Sequence, residues 1–157
     1  MLISIDWICD FVDLKKQETS EIATRFTLGS AEVEKVVEVG QHLKETRVAE
    51  VIEIKSHPKA DKLSVVVFNY GGSGPKEVVC GAPNVRVGMK TPFAPNGTTL
   101  PNGLTLEPKE IRGVVSDGML CSEEELGLSE ESSGIMELPV DAQVGMSLQE
   151  LWHQRPD

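Results

Sequence analysis

Arg47 to Lys55 and Leu63 to Tyr70 are stretches rich in Val and Ile, read from Thr46 onward with a period of two. That is the period of a strand with one face turned to a core, so both are expected as β-strands. A third, Glu77 to Cys80, follows the flexible loop Gly71-Gly72-Ser73-Gly74-Pro75. Beyond it the pattern breaks into short pieces. Asn96-Gly97 and Asn102-Gly103 are turn dipeptides of the hairpin kind, and Pro92, Pro95, Pro101 and Pro108 confine this region to edges and loops. Ile135 to Leu138 is a candidate last strand. Short strands at close spacing, separated by Gly and Pro turns, indicate a small barrel or sandwich.

Helical spacing is confined to the two ends. Near the start, Ser4 is placed to cap a helix from Asp6 to Val12, with Trp7, Ile8, Phe11 and Val12 on one side. A second helix, about Ser20 to Leu28, places Ile22, Ala23, Phe26 and Leu28 inward and stops at Gly29. Ala31 to Val39 then alternates Val33, Val37 and Val39 with Glu32, Glu34 and Glu38, as a half-buried strand would. Some 40 residues cannot bury a core of their own, so this arm needs a surface to pack on. Toward the other end, Ser122-x-x-Glu125 and Ser147-x-x-Glu150 are capping boxes. The first opens a short turn ended by Gly127. The second opens a helix whose Leu148, Leu151 and Trp152 face has run one turn when the chain stops.

Composition changes this picture little. At 157 residues, 39% hydrophobic and 25% charged, the chain fits a soluble globular protein, and no apolar run approaches the ~20 residues needed to span a membrane. The N-terminus meets an acid within six residues and has no basic segment before it, so a signal peptide is not expected and a cytoplasmic location is. Cys9, Cys80 and Cys121 are far apart and lack C-x-x-C spacing, which predicts buried reduced thiols and no metal site.

Charge matters more. The net charge of −10 argues against a polyanion partner until its distribution is considered. From Lys44 to Arg112 there are ten Lys and Arg against seven Asp and Glu, a net +3, leaving −13 on the remainder. Local field rather than total charge steers binding, so the middle of the chain permits a polyanion.

No catalytic constellation is present. The Glu123, Glu124 and Glu125 run has the character of a solvated face, and Gly71 to Gly74 lacks the Gly-Lys-Ser/Thr that a phosphate loop requires. Binding has the better signal. In an OB-fold, strands 2 and 3 and the loop between strands 1 and 2 form the oligonucleotide surface. Here that loop is Lys55-Ser56-His57-Pro58-Lys59-Ala60-Asp61-Lys62, and Arg86, Lys90, Lys109 and Arg112 are the basic residues that would extend it, while Asn84 reads as the end of a turn after Pro83. Phe68, Tyr70 and Phe93 are the aromatics available for stacking on bases. Composition leaves open whether these are ordinary surface lysines and core aromatics.

Three ordered motifs narrow the choice. His57-Pro58-Lys59-Ala60-Asp61-Lys62-Leu63, Val79-Cys80-Gly81-Ala82-Pro83-Asn84-Val85 and Ser116-Asp117-Gly118-Met119-Leu120-Cys121-Ser122, followed by Glu125-Leu126-Gly127-Leu128, resemble the tRNA-binding OB domain of synthetase-associated proteins. The opening Met1-Leu2-Ile3-Ser4-Ile5-Asp6-Trp7-Ile8, with Phe11-Val12-Asp13-Leu14 and Gly29-Ser30-Ala31-Glu32-Val33-Glu34, resembles the start of bacterial phenylalanine–tRNA ligase β subunits.

The resemblance implies a mainly β chain: a five-stranded OB barrel with a small, incomplete α/β arm. Residues 1–39 would be part of a discontinuous domain, 40–147 the OB domain, and 148–157 the returning helix, in an N-terminal fragment of a longer subunit. It implies tRNA as partner and carries over Lys55, His57, Lys62, Asn84 and Arg86 as contacts, with Ser122 as a structural cap; the basic-loop reading adds Lys59, where relatives often have Asn, and Lys90 and Arg112 as candidates. It further implies an α subunit in an α2β2 ligase that uses ATP and Mg²⁺, with no cofactor and no catalytic residue in this stretch. A free-standing, homodimeric tRNA-binding protein and a subunit-assembly module without RNA contact are the alternatives.

Overall fold

The computed structural model describes residues 5–9, 11–14, 17–36, 40–130 and 132–153, without the side chains of residues 6, 7 and 153. They group into two compact units, Met1–Val39 and Gly40–Asp157.

In the first unit, α1 spans Ile5–Cys9 and α2 spans Thr19–Gly29. Helix α1 is shorter than expected, Phe11 and Val12 being exposed beyond its end. Helix α2 ends as its pattern predicts, with Ser30 N–H donating to the Phe26 carbonyl at 2.9 Å. Ile22, Ala23 and Phe26 are only half-buried, and Leu28, expected inward, is 83% exposed. The strand expected from Ala31 is absent over 31–36, where no partner strand is available to the backbone among the described residues. Ser4, Val37, Val39 and the side chain of Trp7 lie outside what is described.

The second unit is built around one long strand. After the short α3 (Gln41–Glu45), β1 runs Arg47–Ser56, and β2 (Ser64–Asn69), β3 (Lys76–Cys80), β4 (Lys90–Ala94) and β7 (Met119–Leu120) complete an antiparallel sheet ordered β3-β2-β1-β4-β7. The N-terminal half of β1 pairs with β4, from Arg47↔Phe93 to Glu50↔Lys90. Its C-terminal half pairs with β2, down to Ser56↔Ser64. Between Val51 and Glu53 the register shifts, and Ile52, the extra residue, turns outward at 50% exposure. Such a bulge bends and twists a strand, and here it lets one strand serve two neighbours as the sheet curls.

The other two strands, β5 (Lys109–Ile111) and β6 (Val114–Ser116), form a separate hairpin. It closes the barrel against β3: Val79 N–H donates to Ser116 Oγ at 3.1 Å and Asp117 N–H to the Glu77 carbonyl at 3.3 Å. This is the five-stranded, nearly closed barrel of an OB-like fold.

Strand β4 overturns the expectation from its prolines. Pro92 is fully buried in the middle of the sheet, opposite Val48. A proline has no N–H for a ladder, but none is needed here. Val48 donates instead to the Met146 carbonyl (2.8 Å) and accepts from Gly145 N–H (2.8 Å), while the Pro92 carbonyl accepts from Cys121 (3.0 Å). Ile135 to Leu138 runs extended without being a strand, held by Met136 N–H to the Cys121 carbonyl and Leu138 N–H to the Lys90 carbonyl.

Strand β1 buries both of its faces. Ala49 and Val51 join Val66, Phe68, Val78, Met89 and Phe93 in one core, while Val48 joins Leu126, Leu138, Leu148 and Leu151 in a second. The second core is the reason for the late capping boxes. Ser147 Oγ and N–H both donate to Glu150 (2.8 and 3.0 Å), and Ser147 Oγ accepts from Glu150 N–H, starting α4 (Leu148–His153) where Leu148 and Leu151 turn inward. Ser122 and Glu125 repeat the arrangement, and the turn they start is tied to α3 by His42 Nε2 on the Leu126 carbonyl at 3.0 Å.

Candidate nucleic-acid interface

The loop between β1 and β2 is folded onto itself. His57 N–H donates to the Leu63 carbonyl (3.1 Å) and Leu63 N–H to the Ala60 carbonyl (3.1 Å), closing a tight turn around the buried Ala60. Lys55, Lys59 and Lys62 are consequently exposed, as the sequence predicts for polar residues at such a tip. His57 is not exposed: it is 5% accessible. Its Nδ1 accepts the Lys59 N–H at 3.1 Å, which leaves Nε2 to donate to the Ile111 carbonyl at 3.0 Å. The imidazole therefore joins the loop to the β5–β6 hairpin.

Arg112 makes the reciprocal connection. With Gly113 it forms the two-residue turn of that hairpin, both at positive φ (50° and 91°), the signature of a type I′ turn. Arginine is a poor choice for a left-handed position, at a cost of order 1 kcal/mol. Its guanidinium donates to the Lys59 carbonyl at 3.2 Å. The Lys59 ammonium lies over the same turn, 3.3 Å from where a Cβ on Gly113 would sit.

The remaining predicted residues are dispersed and engaged. Both polar atoms of the Asn84 amide are used by the backbone of one residue, Nδ2 donating to the Ile135 carbonyl at 2.8 Å and Oδ1 accepting the Ile135 N–H at 3.0 Å. Arg86 is paired with Glu137. Lys90 Nζ donates to the carbonyls of Val140 (2.6 Å) and Ala142 (2.7 Å). Lys55 sits between Glu77 (3.1 Å) and Glu53 (3.6 Å), and the hydrogen bond it donates to Glu77, then the charge of Glu53, hold its pKa above the ordinary lysine value. Among the described residues, Lys59, Lys62, Lys109 and Arg112 enter no ion pair. They lie on the β1–β2 loop and the hairpin that His57 and Arg112 tie together.

The aromatics expected to stack are mostly core. Phe68 and Phe93 are fully buried, 4.6 Å apart between centroids, and only Tyr70 of the three is partly exposed. The Tyr70 ring borders an open cleft of about 370 Å³ with Glu45, Arg47 and Pro95. Lys76, paired with Asp117 at 2.7 Å, lies 5.3 Å from its centroid. The Gly-rich loop after β2 uses its first two glycines in packing. Gly71 is pressed on Gly145, where a Cβ would meet Cα at 2.7 Å, and Gly72 on the Tyr70 ring. Among the described residues no cluster of three or more His, Cys, Asp or Glu is placed to hold a metal ion. No helix among them is long and apolar enough to cross a membrane.

A barrel of this topology is OB-like, a class that includes binders of oligonucleotides and of oligosaccharides, and here its β1–β2 loop carries exposed cations. The chain belongs to the putative tRNA binding domain family, whose profile matches residues 46–147. More particularly, it is similar to phenylalanine–tRNA ligase β subunits. It is 41% identical over 148 residues to that of Syntrophus aciditrophicus (strain SB), covering 94% of this chain and 18% of the relative. It is 41% identical over 150 residues to that of Coxiella burnetii, covering 96% and 19%. The chain thus spans about a fifth of the length of these relatives. Among solved structures, a MetRS-related protein from Pyrococcus horikoshii shares the fold, with a TM-score of 0.52 and 22% identity over 72% of this chain and 97% of that one.

Proposed function

We propose that this chain is the tRNA-docking accessory region of a phenylalanine–tRNA ligase β subunit, and that it holds tRNA by its phosphates rather than by its bases. The observation that carries this is a group of exposed lysines without ion partners among the described residues, Lys59, Lys62 and Lys109, on the β1–β2 loop and the β5–β6 hairpin, which hydrogen bonds join. Lys55 is a fourth contact if it exchanges Glu77 for a phosphate. A lysine ammonium is a hydrated point charge, suited to phosphate oxygens and indifferent to sequence. With Phe68 and Phe93 in the core, a row of stacked bases has no platform.

The alignment supports the ligase over a free-standing tRNA-binding protein. It leaves only nine of 157 residues outside, whereas the family profile begins at residue 46, so most of the first 39 residues are matched as well. We take those residues and the helix from 148 as parts of one discontinuous domain. In the whole ligase, an α subunit within an α2β2 assembly in the cytoplasm would join phenylalanine to tRNA using ATP and Mg²⁺. The part of this chain's residues is to bind and orient. Exposed Ile52 and Val87 on the barrel, with the net charge of −10, favour a second reading, a subunit-assembly surface without RNA.

Titrating this chain with tRNA at several salt concentrations separates them. Neutralising three or four phosphates predicts a slope of log K against log salt of about −3 to −4. Binding without salt dependence, or none at low salt, defeats the docking function and leaves assembly. A Lys59, Lys62 and Lys109 to Ala triple variant should weaken all tRNAs alike.

A further inference from the structure

From the geometry of the two loops we infer that Arg112 and His57 are positioning residues, forming a clasp that holds the lysine-bearing β1–β2 loop against the β5–β6 hairpin. Neither is itself a phosphate ligand. The inference rests on the tRNA-docking function proposed above and assigns the parts within it.

Three observations converge. First, His57 is 5% exposed and both ring nitrogens are satisfied by backbone, one partner on each of the two loops. A phosphate cannot reach it without opening the turn. Second, Arg112 occupies a left-handed turn position that favours Asn or Gly, at φ 50°. A non-glycine residue is held there only when its surroundings over-determine it, and what its side chain contributes is a donor to the Lys59 carbonyl at 3.2 Å. Third, the Lys59 ammonium lies over Gly113, the neighbour of Arg112 in the same turn, so one turn gathers two cationic residues with no acid paired to either among the described residues. Like charges separate when the backbone permits. The two hydrogen bonds across the loops oppose that separation, so the cost of gathering positive charge is met in folding and not when the polyanion arrives.

An arginine that binds phosphate and one that positions a lysine differ in what their loss does. Arg112→Asn retains a residue suited to the turn and removes the guanidinium. For a clasp, tRNA affinity falls while the salt slope stays near that of the unaltered chain. Lys59→Ala then costs less in the Arg112→Asn background than alone, with a coupling of about threefold or more. For a phosphate ligand, the slope falls by about 0.9 and the two substitutions add, which overturns the proposal.

Amide exchange tests the clasp without RNA. Arg112→Asn, and His57→Gln as a second variant, should speed exchange of the Lys59 amide by about tenfold while leaving strand amides of β1 and β2 protected. Unchanged exchange in both variants refutes the clasp even where tRNA binds normally. Failure of the unaltered chain to bind tRNA, with exchange accelerated in the variants, instead removes the docking function and with it the positioning role.

Discussion

Asn84 distinguishes a residue that holds the barrel from one that reads RNA. Its amide makes two hydrogen bonds, 2.8 and 3.0 Å, to the backbone carbonyl and N–H of Ile135, a residue 6% exposed within the barrel core. Asn84→Ala removes both partners and strands a backbone N–H and carbonyl in a partly buried position. Each orphaned group costs about 1–3 kcal/mol, and partial access to water lowers the sum to about 2–3 kcal/mol. For a unit of this size, 1 kcal/mol moves Tm by about 3–5 °C, so a fall of about 6–15 °C is expected in differential scanning calorimetry. Gly134 supplies an internal check. A Cβ there would stand 2.3 Å from Asn84 Oδ1, so Gly134→Ala should break the same clamp, and the double variant should cost less than the sum of the two. tRNA affinity measured well below the lower Tm should be unchanged. An Asn84→Ala protein of ordinary stability with weakened tRNA binding would refute this assignment and restore Asn84 to the interface.

Other expectations follow from the same packing. Phe93→Ala, at a fully buried ring in contact with Phe68, should cost about 3–5 kcal/mol in urea unfolding, whereas a stacking residue would lose affinity instead. Ser147→Ala should destabilise the unit by about 0.5–2 kcal/mol through the lost N-cap, read from the urea midpoint. The Ser147 hydrogen bonds also hold the Glu150 pKa below its ordinary value of 4.5. A lowered folded-state pKa means stability present above 4.5 and lost as pH falls through the folded value, so Ser147→Ala should flatten the acid limb of the stability curve below pH 4.5. Burial, and then the charge of Glu125, push the Cys121 thiol far up, so iodoacetamide should label Cys121 only on unfolding. Stoichiometric labelling of the native chain at Cys121 would contradict its place in the core.

Local chemistry carried much of the fold. The Val- and Ile-rich runs bounded by turn residues placed β1, β2 and β3 within a residue or two at each end, although β1 buries both of its faces and β2 buries four residues in succession. Both Ser-x-x-Glu boxes formed, because their partners are three residues apart. Asn96-Gly97 and Asn102-Gly103 turned with their glycines at φ 94° and 84°. The exposed loop lysines were equally legible, since the short turn from His57 to Leu63 leaves long charged side chains nowhere else to go.

What the tertiary structure alone decided lies where a polar group's partner is remote in sequence. His57 bonds 54 residues away, Asn84 51 and Lys90 50 to 52, each to a backbone group that carries no side-chain signal of its own. Pro92 sits in a central strand because Val48 opposite it spends its hydrogen bonds on Gly145 and Met146, more than 90 residues along the chain. The β5–β6 hairpin turns on an Arg-Gly pair, which resembles no common turn signal. The sequence determines which groups are polar and how the nearby backbone bends. Whether such a group faces solvent, RNA or a carbonyl across the barrel depends on the register in which distant strands meet, and only the closed barrel fixes that register.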